Sequence, residues 1–276
     1  MAGGLAVWQQ GPTMSENFDL AKLLESWPYD PDNNVRVVSA ADGRQIMQVR
    51  LPLGIEQYEM DGRPDGQRPY GMESALEYQR QRVAQATAEG KKSSFKLNTN
   101  ECAEVFNEGV LYYYRYLHCF QIKDWARTVR DTGRNLALFD LVRRYARREE
   151  DRIYLEQWRP YLIRMHAVSR AMIEWDTNGH ERALRILREG IDQIEDLSAV
   201  DDPTFQFERK RSLEVLRDLA AEIEQTRPLP ESQKIERELK RAVEAEEYER
   251  AAQLRDRLRE LRPDAPPIER TGPPRA

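Results

Sequence analysis

Histidine and cysteine are scarce, with three and two copies in 276 residues. Cys102 and Cys119 are too few for a disulfide framework or a zinc site made of cysteines alone. His118, His166 and His180 are scattered and form no metal-ligand spacing. His118 and Cys119 are neighbours, but consecutive helical residues point in different directions, and no third group is in view to orient a nucleophile and its base. Phosphate-loop and dinucleotide-binding fingerprints are missing too. The loop Gly62 to Gly71 is glycine-rich, but it lacks the strand–loop–helix setting and the Lys-Ser/Thr of a phosphate cradle. No catalytic residue, bound metal or cofactor is therefore expected, and the chain reads as a non-enzyme. No apolar run approaches the roughly 18 residues of a membrane helix. The opening MAGGLAVWQQGPT has no basic segment leading into a long apolar one, so no signal peptide is expected and the predicted location is cytoplasmic. The net charge of -5 supplies no global basic field for nucleic acid or anionic lipid.

What the chain does have is charge of both signs, 33% of residues against 40% hydrophobic, which suits a helix-rich protein with wide solvated faces. Its length allows one large core or two smaller ones. The expected fold class is mainly α, with a small amino-terminal β-hairpin or sheet, a helical-repeat-like body and a carboxy-terminal helical hairpin.

Strand character is confined to residues 1–71. Val35 and Val37 flank Arg36, and Asp42-Gly43 supplies a turn. Met47, Val49 and Leu51 then alternate with Ile46, Gln48 and Arg50, the period-two pattern of a half-buried strand. Ile55 to Met60 predicts a third strand. Such a small sheet is marginal alone and needs the following helices to pack on. Asp61 to Gly71 is dense in glycine and proline and reads as a loop.

Residues 72–227 read as helix almost throughout. The expected spans are Ser74 to Ala88, a long helix from the capping sequence Asn98-Thr99-Asn100-Glu101 to Phe120, Asp124 to Thr132, Arg134 to Arg152, Pro160 to Asp176, Glu181 to Leu197, and one opening at Asp201-Asp202-Pro203. Ala171, Gly179, Ala183, Leu187 and Gly190 fall at spacings that resemble a tetratricopeptide (TPR) helix pair, in which facing small residues allow close approach. Glu174 at the first-helix aromatic position and the lack of a closing proline depart from that pattern, and an irregular bundle is the other reading. Residues 228–230 predict a stiff linker, 231–262 a hairpin, and 263–276 a proline-rich disordered tail.

Two stretches invite a nucleic-acid reading. Arg143, Arg144, Arg147, Arg148 and Arg152 would share one helical face, with Glu149, Glu150 and Asp151 as ion-pair partners. That face is either solvated and salt-bridged or a contact for phosphate. The run Tyr112-Tyr113-Tyr114-Arg115-Tyr116 is either partly buried core or a stacking platform.

The segment from Ser232 to Arg262, SQKIERELKRAVEAEEYERAAQLRDRLRELR, carries the most information. Ile235, Leu239 and Val243 stripe its first half at four-residue spacing, with Ala242 beside them. Ala251, Leu254, Leu258 and Leu261 stripe its second half. Folded back at Ala245 to Glu247, the stripes face each other, Ala251-Ala252 permit close approach, and Tyr248 is expected to pack across the turn. Glu247-Tyr248-Glu249, Ala251-Ala252 and Leu254-Arg255-Asp256 resemble the UVR motif, the helical hairpin of UvrB, UvrC and several bacterial stress and protease-adaptor proteins. The resemblance covers 31 of 276 residues. It implies docking by pairing with a second copy or with another protein's hairpin, through Ile235, Leu239, Val243, Tyr248, Ala251, Ala252, Leu254 and Leu258, with Arg255 and Asp256 setting orientation by charge. A hairpin packed on its own body is the plainer alternative. The helicase motifs of UvrB, the nuclease domains of UvrC and the CxxC pairs of protease regulators have no counterpart here. From Glu231 to Arg262 nine acidic and nine basic residues balance, which disfavours DNA binding by the hairpin itself. The expected function is an adaptor or scaffold with a protein partner or second copy. The alternatives are a DNA-repair accessory factor contacting nucleic acid through Arg143, Arg144, Arg147 and Arg148, and an enzyme of unrecognised type.

Overall fold

The computed structural model describes residues 20–227 and 231–261. The opening stretch read for a leader, the linker 228–230 and the tail 263–276 lie outside the described residues. A short helix α1, Ala21–Ser26, precedes three antiparallel strands in the order β1-β2-β3: β1 Val35–Ser39, β2 Gln45–Leu51 and β3 Gly54–Glu59. Seven helices follow: α2 Ala75–Ala88, α3 Thr99–Gln121, α4 Trp125–Tyr145, α5 Glu149–Glu156, α6 Arg159–Asp176, α7 His180–Glu195 and α8 Pro203–Thr226. The hairpin of α9, Glu231–Glu244, and α10, Tyr248–Leu261, closes the described chain. Two compact units divide at Ala220 and Ala221. None of the described helices is long and apolar enough to cross a membrane.

The expected alternation in β2 is half right. Val35 pairs with Val49, Val37 with Met47 and Tyr58 with Met47, placing these side chains on one face. Met47, Val49, Tyr58 and Met60 pack with Cys119 of α3, so the sheet rests on that helix as a marginal sheet must. The other face is covered as well, because Ile46 and Arg50 are also buried. Arg50 donates from Nε to the Trp27 carbonyl at 2.7 Å, and the Arg36 guanidinium sits 3.9 Å over the Trp27 ring. The segment after α1 thus covers a surface that a period-two pattern assigns to solvent.

Local capping sets the helix starts. Ser74 accepts from the Glu77 amide at 3.2 Å. Asn98 and Glu101 form a reciprocal capping box, the Asn98 side chain accepting from the Glu101 amide at 3.0 Å and Glu101 accepting from the Asn98 amide at 2.8 Å. The expected break at Gly133 is absent, and α4 runs through it. A helical glycine costs about 1 kcal/mol relative to alanine, too little to break a helix held by its neighbours, and a Cβ at Gly133 would make ordinary contact with His166 Cε1 of α6 at 3.4 Å. The expected helix Arg134 to Arg152 instead ends at Tyr145. Ala146 turns extended and makes a parallel bridge to Leu97, whose amide donates to the Tyr145 carbonyl at 2.8 Å and whose carbonyl accepts from Arg147 at 2.9 Å. Along α6 and α7, Ala171, Ala183 and Leu187 are fully buried. A Cβ on Gly190 would come within 2.7 Å of Ala167 Cβ, so this helix pair requires a glycine there.

Charge fixes the glycine- and proline-rich loop after β3. Arg115, fully buried on α3, makes a two-pronged pair with Asp131 of α4 at 2.7 and 2.9 Å. Its Nη1 also donates to the carbonyls of Glu59 and Gly62, at 2.7 and 2.9 Å. Two turns earlier on α3, the buried Glu108 carboxylate accepts from the first amides of α2, Ala75 at 2.7 Å and Leu76 at 3.1 Å, and pairs with Arg63 and Arg134. A carboxylate on those amides satisfies donors that a helix start leaves free and complements its dipole.

Removing one partner of a dry ion pair strands the other. Asp131→Ala is expected to destabilise the chain by about 3–5 kcal/mol, and the Arg115→Met, Asp131→Leu double variant by clearly less. Denaturant titration of both variants checks this, and equal losses would contradict it.

Candidate interaction surface

Helix α9 ends with Glu246 at φ 58, and the Glu247 amide donates back to the Ala242 carbonyl at 2.8 Å while the Glu246 amide reaches Val243 at 3.1 Å. These two bonds are a Schellman ending, in which glycine normally takes the left-handed position. The chain reverses there, as the segment Ala245 to Glu247 predicts, and α9 and α10 pack against each other. The buried positions are Ile235 and Ala242 on α9 and Ala251 and Leu258 on α10. Each pair is seven residues apart, the spacing that keeps one helix face toward a partner helix. Leu239, Ala252 and Leu254 are half-buried beside them. At the open end, Arg257 pairs with Glu231 at 2.5 Å.

Two expectations for this hairpin are corrected. Val243 lies eight residues past Ile235, about 80° around the helix at 100° per residue, so Ala242 takes the inner position and Val243 is 52% exposed. Tyr248 does not pack across the turn. The reversal is closed by backbone bonds, and the ring at the first position of α10 is 69% exposed. Arg255 and Asp256 both face solvent, 3.7 Å apart. Val243, Tyr248 and Leu261 are thus exposed, while Ile235, Ala242, Ala251 and Leu258 lie between the helices.

The arginine cluster does not form one helical face. Arg143 and Arg144 lie on the last turn of α4, Arg147 and Arg148 on the extended connector, and Arg152 on α5. Arg143 pairs with Asp140 and Arg148 with Glu150, each at 3.2 Å, while Arg152 donates to the Ala146 carbonyl at 2.7 and 3.0 Å. Local pairing reduces the charge available to a phosphate. Of the tyrosine run, Tyr112 and Tyr116 are buried, Tyr112 beneath the Arg134 guanidinium at 3.7 Å, and neither ring is free to stack on a base.

Both thiols are buried and free. Burial pushes the Cys119 thiol up to about 12 and Cys102 up to about 11, away from the thiolate a nucleophile needs. Burial also lowers the pKa of His118, against smaller opposing effects from Gln121 and Glu56, and that of His166, with Arg170 adding to the effect. His166 Nδ1 lies 2.9 Å from the Thr132 hydroxyl, which occupies it structurally. Among the described residues, no group of three or more His, Cys, Asp or Glu is placed to hold a metal ion.

The two histidines give a defined pH dependence. Their folded pKa values lie below the ordinary 6.5, so the unfolded chain takes up protons first as pH falls. Their contribution is complete above about pH 6.5 and is lost as pH drops through that value toward the folded pKa values. Denaturant midpoints measured between pH 7.5 and 5.5 should fall. The slope should flatten in His166→Asn, and an unchanged slope there would contradict the assignment.

Comparison with known proteins returns one likeness. No curated protein matches the chain, and no solved structure does. Residues 233–262 match the family model described as UVR, the UvrB/uvrC motif, so the hairpin of α9 and α10 carries that motif.

Proposed function

We propose that this protein is a non-enzymatic adaptor that uses its UVR hairpin to dock on a protein partner or on a second copy of itself. The observation that carries the reading is the outer surface of the hairpin. Val243 and Tyr248 are exposed, although the fully buried side chains between the two helices are two aliphatic ones, Ile235 and Leu258, and two alanines, with Leu239 and Leu254 half-buried. An element with so little apolar burial gains stability when a second surface covers what it leaves exposed. Tyrosine is well suited to that task, since a large ring with two rotatable bonds supplies contact area at low entropic cost. Arg255 and Asp256 are placed to set orientation more than affinity, as exposed charges do.

The UVR motif is known from DNA repair and from protein–protein contacts. Protein contact is favoured here because the hairpin's charges balance and the arginines near α4 are partly engaged by Asp140 and Glu150. A helical body resembling tetratricopeptide repeats would add a second protein-binding surface, and the close approach of Gly190 to Ala167 supports that likeness. The buried, protonated thiols support the absence of nucleophilic catalysis. A cytoplasmic location accords with this role.

Two experiments test the docking role. Affinity purification and light scattering of the intact chain and of a chain lacking residues 231–276 should differ in partner content or in the number of copies per particle. An identical partner set and oligomeric state would overturn the proposal. Separately, Tyr248→Ser with Val243→Ser should weaken docking at least tenfold while changing stability by no more than about 0.5 kcal/mol, as befits exposed positions. Glu246→Gly should relieve a left-handed glutamate and stabilise the hairpin by about 1 kcal/mol. Hydrogen exchange in α9 and α10 of the full chain would then slow about fivefold.

A further inference from the structure

A cavity of about 480 Å³ opens within the helical body, lined by α3, α4, α6 and α8 and by the chain around α5. Its walls are mainly aromatic. Phe106 meets Tyr154 edge-on with centroids 4.8 Å apart, and Tyr113 lies 6.2 Å from Tyr161. Tyr154 and Trp158 line it and are substantially exposed, so the cavity has a solvent-facing rim. The volume falls in the range of small-molecule sites, which are apolar clefts with a few placed polar groups.

Two charged residues line the cavity, Glu208 and Arg211, both on α8. They differ in what they leave for a ligand. Glu208 is buried and stands 3.7 Å from the buried Arg164 of α6, and its Oε2 is shut off from solvent. Its charge is thus balanced from within the protein. Arg211 is exposed and has neither an ion pair nor a hydrogen bond among the described residues. The next acid along α8, Glu214, lies 3.9 Å from Lys210. Burial lowers the Arg164 pKa, Glu208 opposes that effect and Arg211 adds to it, so Arg211 stands within electrostatic range of the buried pair. Two cations against one carboxylate leave a positive balance, and the accessible part of it is the Arg211 guanidinium. A cationic ligand would be repelled there, and a neutral one would leave the guanidinium without a counter-charge. A carboxylate matches it in charge and in the geometry of paired hydrogen bonds.

We propose that this cavity is a binding site for a small aromatic carboxylic acid in its anionic form, its ring packed among Tyr113, Tyr154, Trp158 and Tyr161 and its carboxylate on Arg211. Rings of this kind favour an aromatic body, because edge-on and offset ring contacts add to the burial of apolar area. The site is independent of the hairpin and of the docking role.

Calorimetric titration of the full chain with naphthalene-2-acetate tests the proposal, with naphthalene-2-acetamide as the neutral isostere, 2-(2-naphthyl)ethylammonium as the cation and octanoate as the aliphatic acid. The aromatic acid is expected to bind with a sub-millimolar Kd, the amide at least fivefold more weakly, octanoate more weakly than the aromatic acid, and the cation most weakly of all. Arg211→Gln, at an exposed position, should bring the aromatic acid down to the affinity of the amide while leaving the amide unchanged. Lys210→Gln, which removes a neighbouring exposed charge outside the cavity, should leave the affinities as they are. Trp158→Ala should weaken acid and amide alike, at least threefold. No binding of the aromatic acid at millimolar concentration, equal affinity for the amide, tighter binding of octanoate, or an equal loss in Lys210→Gln and Arg211→Gln would each overturn it.

Discussion

The buried pair between Arg115 and Asp131 is the constraint on which the amino-terminal unit depends. Its direct contribution to stability is small, because desolvating two charges offsets most of their attraction. Its consequence is positional. Arg115 spends its remaining donors on the Glu59 and Gly62 carbonyls, at the point where β3 gives way to the loop. Arg130 then reaches the Met60 carbonyl at 2.7 Å while pairing with Asp131. Glu108 does the same for the start of α2. Two carboxylates and four arginines thus hold the sheet, the loop and three helices in one register. A loop rich in glycine and proline has little apolar surface with which to fix itself, so hydrogen bonds to charged groups take that role. Because Arg115, Asp131 and Glu108 are dry, any slip would leave one of them unpaired, and that penalty makes the arrangement selective.

The hairpin is held by different means. Seven-residue spacing of small and medium side chains brings α9 and α10 together, and a backbone-closed reversal leaves the aromatic ring free. Tyr248 is therefore available without loosening the hairpin. Folding contacts and outward side chains are thus separate here, so a change at Tyr248 leaves the packing between α9 and α10 in place.

The same division explains what could be read from the sequence. Helix starts at Asn98 and the reversal between α9 and α10 were legible because a few neighbouring residues decide them. The motif was legible for the same reason. A four-residue stripe that includes Val243 runs one step too far, past the drift of a helix with 3.6 residues per turn, and Ala242 takes the inner position instead. The run of α4 through Gly133, and its end at Tyr145, depend on His166 and Leu97, which lie more than thirty residues away in sequence. Both faces of β2 are buried because Trp27 and its neighbours cover one of them, and no period-two pattern contains that fact. The arginine network and the aromatic cavity were hidden most completely. Phe106, Val110 and Tyr113 share a face of α3, as Tyr154 and Trp158 lie four residues apart, but nothing in either spacing places Glu208 beside them.

Burial also decides which of the titratable side chains can meet a substrate. A catalytic group must meet substrate and exchange a proton near neutral pH. Cys119 fails on both counts, packed under the sheet with its thiol held protonated. His118 is half-buried with its pKa lowered by that burial, and His166 is engaged with Thr132. Among the described residues, five buried side-chain atoms have no hydrogen-bond partner, on Arg63, His118, Arg164, Glu208 and Ser212, and none of them belongs to a group placed to hold a metal ion.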